Sequence, residues 1–431
     1  MRSSSPDPRA DFVAAFHAND AARVRRVLDA NPQLKAELNE PIPGGSFGAT
    51  ALLSAVGKGS REMISVLVDT GADINARSHW WAGSFGVLDL CDPELAPFLI
   101  ERGARVDAHS AARLGMLERL DALVTADPDI VHARGGDGQT PLHFASTVEI
   151  ARYLLAHGAD FDARDVDHES TPAQYMIRDR QDIARFLVER GCRTDILMTA
   201  ALGDIDRVRR HLDDDPASIR MRVSAEYFPM RDSRAGGTIY IWTLGPHRTT
   251  FAVARGFGHE DVLSLLMERS PDVLKFVHAC DIGDEATVKD LLAGRPEMTR
   301  ALANDEIAAL VDAAENNNAE AVRMMLAAGW PIDARRSDGA TALHFFAWLG
   351  NAELVRELIQ RGAPLEAVEN VFGGRPLGWA LHGSTNSWRA SSGDYVGVVE
   401  ALLEAGAATP PTDGLDANDA VLEVLRRRAV S

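Results

Sequence analysis

Chemistry in this chain would have to come from thirteen histidines, three cysteines and a surplus of carboxylates. Their spacing excludes most familiar sites. No two histidines stand four residues apart, as a helical metal site needs, and there is no HExxH. Cys91, Cys192 and Cys280 are far apart, so no CxxC pair can hold zinc. The GxSxG match at Gly44-Gly45-Ser46-Phe47-Gly48 reads as a finger turn before a signature helix, and there is no GxxxxGK[ST] and no GxGxxG after a strand. Cys280 stands close to His278 and Asp281, but inside a helical segment. Asp213-Asp214-Asp215 lacks the spaced partners and terminal Glu of a calcium loop. These patterns predict no catalytic residue, no metal and no cofactor. What remains is a set of aromatic and His/Glu positions: Trp80, Trp81, His168, Glu169, Tyr227, Phe228, Tyr240, Trp242 and His247. A groove lined by such groups would suit an amide-bearing peptide or a small polar ligand. It could also host acid–base chemistry, although nothing supplies a nucleophile.

The elements that must position these residues are read from a repeat. Gly71-Ala72-Asp73-Ile74-Asn75-Ala76-Arg77 returns as Gly158-Ala159-Asp160-Phe161-Asp162-Ala163-Arg164, and in altered form at Gly103, Gly329 and Gly362. Each copy follows a short amphipathic helix. The period is about 33 residues or a small multiple of it, which marks a solenoid of stacked helical pairs. Other units end in Asn31-Pro32, Asp127-Pro128 or Asp215-Pro216, where proline stops the second helix.

Thr140-Pro141-Leu142-His143-Phe144-Ala145 resembles the helix-opening signature of the ankyrin-repeat family, and Thr341-Ala342-Leu343-His344 matches it with one change. Thr50-Ala51-Leu52, Thr171-Pro172-Ala173 and Arg375-Pro376-Leu377 are weaker copies, and Gly258-His259 resembles the joint between the paired helices. The resemblance implies an all-α ankyrin-repeat solenoid of roughly twelve helical pairs running from residue 8 to a C-terminal cap at 408–431, after a disordered 1–7. Units near 79–135 and 196–300 are the more degenerate. It also implies that His143 and His344 bond neighbouring backbone and do no chemistry, and that the chain is an interaction scaffold.

Departures from the repeat locate candidate binding residues. Between Arg222 and Thr249 the finger joining two units is about twenty residues too long. Gly236-Gly237 between β-prone runs predicts a β-hairpin near 222–247, projecting over the concave side with Tyr240 and Trp242 on its contact face. Trp80 and Trp81 stand at a second finger tip, expected to be distant from the first. His168 and Glu169 replace the small residues of a normal turn and are expected to be exposed. Trp388 is expected to pack locally.

The formal charge of −18 argues against nucleic acid and against an anionic membrane surface. It suits a basic partner as well as simple solubility. Three thiols that cannot all pair internally, no signal-peptide core and no apolar run of ~20 residues point to a cytoplasmic protein, which is expected to be a monomer. The expected function is binding a protein or peptide on the concave finger face. The alternative is a small-molecule sensor or atypical enzyme with an aromatic pocket under the 222–247 insertion.

Overall fold

The computed structural model describes residues 7–410 and 415–430. Of the segment expected to be disordered, Asp7 is described and caps the helix Pro8–His17, its carboxylate accepting from Arg9 N at 3.0 Å. The chain folds as helical pairs joined by fingers, and the described residues contain no strand, only isolated bridges at Pro41–Thr50 and Arg222–Thr249. They divide into two compact units, the first ending at Leu265 and the second starting at Leu266.

Local sequence sets each pair. Before most second helices the chain turns through one left-handed residue, such as Gly203 (φ 70°) or Gly283 (φ 75°), with Asn19 and Asn317 in the same role. An Asp or Asn follows and caps the helix: Asp204, Asp284, Asn318 and Asn351 each accept the N–H three residues on. The second helices then end in one of two ways. Gly71, Gly158 and Gly362 reverse the chain at positive φ. Asp127 and Asp215 instead lead into the 3-10 turns Pro128–His132 and Pro216–Arg220.

Two first helices are irregular. Val87–Leu90 is a single turn, and Pro141–Phe144 is 3-10 despite carrying the fullest signature. Roughly twelve equivalent α-helical pairs are therefore not what the structure supports. At 141–144 the cause is the early turn at Ala145, whose carbonyl is held by Arg180 at 2.7 Å.

In the first unit, Phe16, Leu28, Leu52, Ile64, Leu67 and Leu99 are buried in one continuous apolar layer. In the second, Phe276 stacks on Trp330 at 5.1 Å, and the layer continues through Phe346 and Leu402 to Val421 and Leu425 of the last helix, Asp419–Val430. Stability thus accumulates between neighbouring pairs, at roughly 25 cal/mol per Å2 of apolar area.

The signature histidines have the structural role expected of them. His143 Nδ1 accepts from Thr140 N at 3.1 Å, and Nε2 donates to the Ser170 carbonyl at 3.2 Å. His344 repeats this with Thr341 N and the Gly374 carbonyl. His259 bonds the Ala201 carbonyl at 3.0 Å. Burial pushes the His143 pKa down from 6.5 to about 3. The unfolded chain therefore gains a proton below pH 6.5 that the folded state refuses, and stability falls as pH drops from 6.5 towards 3. His143→Ala and His344→Ala should each lower stability by about 1–3 kcal/mol. Urea titrations at neutral and mildly acid pH should also show a shallower acid loss for His143→Ala than for the parent. Equal acid slopes would contradict the assignment.

Candidate functional site

Three fingers and the long insertion meet in the first unit. The finger at 78–85 is closed by Ser78 N to Phe85 O and by Phe85 N to Ser78 Oγ, both 2.9 Å. It lies directly on the turn at 135–138: a Cβ on Gly83 would stand 2.1 Å from the Gly135 carbonyl oxygen. Only glycine permits that approach. Trp80 packs edge-on against Phe47 at 5.1 Å and tilts against Trp81 at 6.3 Å.

The next finger, 165–170, is built around a carboxylate. Asp165 accepts from His168 N at 2.8 Å, Ser170 N at 2.7 Å and the Tyr175 hydroxyl at 2.9 Å. Val166 N donates to the Asp137 carbonyl at 2.8 Å, which ties the two fingers together. His168 is only 8% exposed. It is not the exposed tip that its place in a long turn suggested, because the insertion covers it.

The insertion is not a β-hairpin. Its base is closed by the Arg222–Thr249 bridge, with Val223 N donating to Arg248 O and His247 N to Val223 O. From there it folds back as turns and one helical turn, Tyr240–Thr243. Gly236-Gly237 does not reverse two strands. Gly236 N donates to the Asp167 carbonyl at 2.9 Å, and the Gly237 carbonyl accepts from His168 Nδ1 at 2.7 Å. Ile239 N donates to Ser170 Oγ at 3.1 Å, and Arg231 N to Glu169 Oε1 at 2.7 Å. With its backbone donors and acceptors taken by the finger, this run has no strand to pair with.

Tyr240 is 0% exposed. Its ring packs edge-on against Phe228 at 5.3 Å, and its hydroxyl donates to Asp195 Oδ2 at 2.9 Å, at the cap of the helix Ile196–Leu202. It therefore anchors the insertion and offers nothing to a partner. Trp242 is the opposite, 64% exposed, with its carbonyl held by Arg178 at 3.0 Å. The expected distance between Trp81 and the insertion does not hold either. The Arg234 guanidinium, paired with Asp232 at 2.7 Å, sits 4.3 Å from the Trp81 ring. Tyr227 is half-buried in the same loop, and His247 stands at its base, away from the His168 end.

Sequence reasoning missed the carboxylates. Burial, with Asp167 and Asp165 close by, raises the Asp137 pKa to about 6 against the opposing pull of His168. Burial also raises those of Asp165 and Asp195. Donor atoms of Asp137, Asp167 and His168 all lie within 4.8 Å of one another. The only sequence signal was that Asp167 adjoins His168; Asp137 looked like the ordinary middle of Gly-Asp-Gly. Elsewhere in the first unit a cavity of about 240 Å3 is lined by Arg77, Asp89, Arg105 and Asp107. Arg77 already pairs with Asp89 at 3.0 Å and Asp107 at 3.3 Å. The space falls below the ~300 Å3 of typical ligand pockets.

The second unit carries a tip that sequence reasoning passed over. The buried Glu369 carboxylate accepts from Val371 N and Gly374 N, both at 2.7 Å, and from Phe372 N at 2.9 Å. This fixed turn holds Val371 63% and Phe372 87% exposed. Trp388, expected to pack, is 71% exposed.

Because Tyr240 anchors the insertion, Tyr240→Ala should lower the stability of the first unit by about 3–5 kcal/mol. Tyr240→Phe should cost about 1–3 kcal/mol, since Asp195 loses a buried partner. Trypsin should then cut the alanine variant at Arg231 and Arg234 much faster than the parent. Unchanged cutting would show that the insertion does not depend on this anchor.

The comparison with known families agrees with this construction. A model described as ankyrin repeats (3 copies) matches residues 108–199, 276–369 and 310–413, and a single ankyrin repeat matches 47–79. These segments span more than half of the chain, and none of them includes the insertion at 222–249. With its Asx-capped helical pairs, histidine-tied fingers and these matches, the chain belongs to the ankyrin-repeat family.

Proposed function

We propose that the chain binds a partner protein through its finger tips and the exposed face of its insertion. Ankyrin repeats are in general protein–protein interaction modules. The observation that carries the reading is the Val371-Phe372 tip. Large apolar side chains are held in solvent by a turn whose backbone donors are already satisfied by Glu369. Such a tip loses little conformational freedom on binding, so most of its burial appears as affinity. Trp242 is mounted in a similar way on the first unit. A partner with basic segments would be steered by the net charge of −18.

The small-molecule alternative has less support, because Tyr240 and Phe228 fill space beneath the insertion. No described helix is long and apolar enough to cross a membrane. Three buried free thiols suit the reducing cytoplasm that we propose for this protein, acting as a monomeric binder without catalysis.

The test compares partners captured by the parent with those retained by Phe372→Ala and Trp242→Ala, followed by titration of the purified pair. We expect Phe372→Ala to weaken binding by at least about 30-fold, as for a hot-spot residue, with stability unchanged within about 0.5 kcal/mol. Full affinity in both variants would place recognition elsewhere.

A further inference from the structure

We propose that Asp137, Asp167 and His168 bind a divalent first-row transition metal, with Zn2+ as the representative ion, and that the metal latches the insertion onto the fingers. Three observations lead there. First, donor atoms of the three side chains lie within 4.8 Å of one another, although they come from two different fingers. The separation of 3.7 Å between His168 Nε2 and Asp167 Oδ2 suits two ligands each ~2.1 Å from one ion.

Second, the histidine is set up as a ligand. A carbonyl can only accept, so the 2.7 Å contact to Gly237 O places the proton on Nδ1. Nε2, on the other side of the ring, then faces the Asp167 carboxylate at 3.7 Å. A proton or a metal ion between these two atoms would balance the charge, and a metal would join them to Asp137 as well. Metal-bound histidines usually donate their other ring N–H to a backbone carbonyl in this way.

Third, the cluster contains a buried acceptor whose neighbouring donor, the Trp80 indole N–H, makes no hydrogen bond of normal geometry to it. Asp137 is 9% exposed, and its Oδ1 has no hydrogen-bond partner. The Trp80 indole stands beside that carboxylate, and its Nε1 is also buried without a partner. A metal would satisfy the oxygen, and a water on the metal would give the indole N–H an acceptor. The nearby arginines do not serve. Arg134 donates to the Gly138 and Arg164 carbonyls, and Arg164 donates to the Glu169 carbonyl.

One imidazole with two carboxylates favours zinc or manganese over calcium, which prefers six to eight oxygen ligands. The metal would also act on the insertion. His168 Nδ1 holds Gly237, and Asp167 Oδ1 accepts from Gly236 N at 3.1 Å, so two of the three ligands grip the loop with their other side.

The experiment uses the untagged full-length chain, freed of metal with a chelator and titrated with ZnCl2 by calorimetry while indole fluorescence is followed. We expect one equivalent to bind, Trp80 emission to shift, and tryptic cutting at Arg231 and Arg234 to slow. Asp137→Asn and Asp167→Asn, near-isosteric changes checked by circular dichroism, should each weaken zinc binding by at least about tenfold. Trp80→Phe should abolish the fluorescence change and keep the stoichiometry. The inference is overturned if no saturable binding is seen, if both asparagine variants bind as the parent does, or if only Ca2+ binds.

Discussion

The fingers of this protein have backbone carbonyls that no sheet can pair, and the fold depends on supplying donors to them from side chains. Histidine and arginine do this at equivalent places along the stack. His109 reaches the Ala133 and Gln139 carbonyls, His143 that of Ser170 and His344 that of Gly374. Arg134 bonds the Gly138 and Arg164 carbonyls, and Arg335, its counterpart in the second unit, bonds those of Gly339 and Val368. An unpaired buried carbonyl is costly, so each such side chain fixes both the shape of a finger and its distance from the next.

The insertion exploits the same constraint. At 165–170 the finger is longer and its surplus polar groups turn outward. Glu169, Ser170, Asp167 and His168 pair with the backbone of residues 231–239 as they would otherwise pair with water. A loop that sequence alone presents as a projecting arm is thereby drawn down onto the fingers. The exposed surface that it leaves, Trp242 above all, is held by a buried Tyr240–Asp195 contact.

Much of the fold was legible because its signals are local. Gly-Ala-Asp endings, Asp-Pro stops and the Thr-x-x-His openings each act within a few residues, and all behave as their chemistry requires. The insertion's ends were legible too, since Arg222 and Thr249 close it. Its conformation was not. β-prone residues at 238–242 form a helical turn because their partners, Ser170 and Asp195, lie 69 and 45 residues away. The candidate site was half legible for the same reason. His168 and Trp80 were visible as oddities of their own fingers. Asp137 was ordinary in its finger and becomes unusual only when Trp80 and His168 bury it. Phe372 escaped notice because a glycine-rich turn reads as a plain connector until Glu369 is seen to hold it rigid.

Hydrogen exchange of the full-length chain tests the docked insertion most directly. If side chains of the 165–170 finger hold it, the amides of Gly236, Ile239 and Arg231 should be protected to an extent close to that of the helix Pro172–Met176 beneath. They should lose that protection together in a Tyr240→Ala variant. Exchange of these amides at the rate of an open chain in the parent, beside protected repeat helices, would contradict the account.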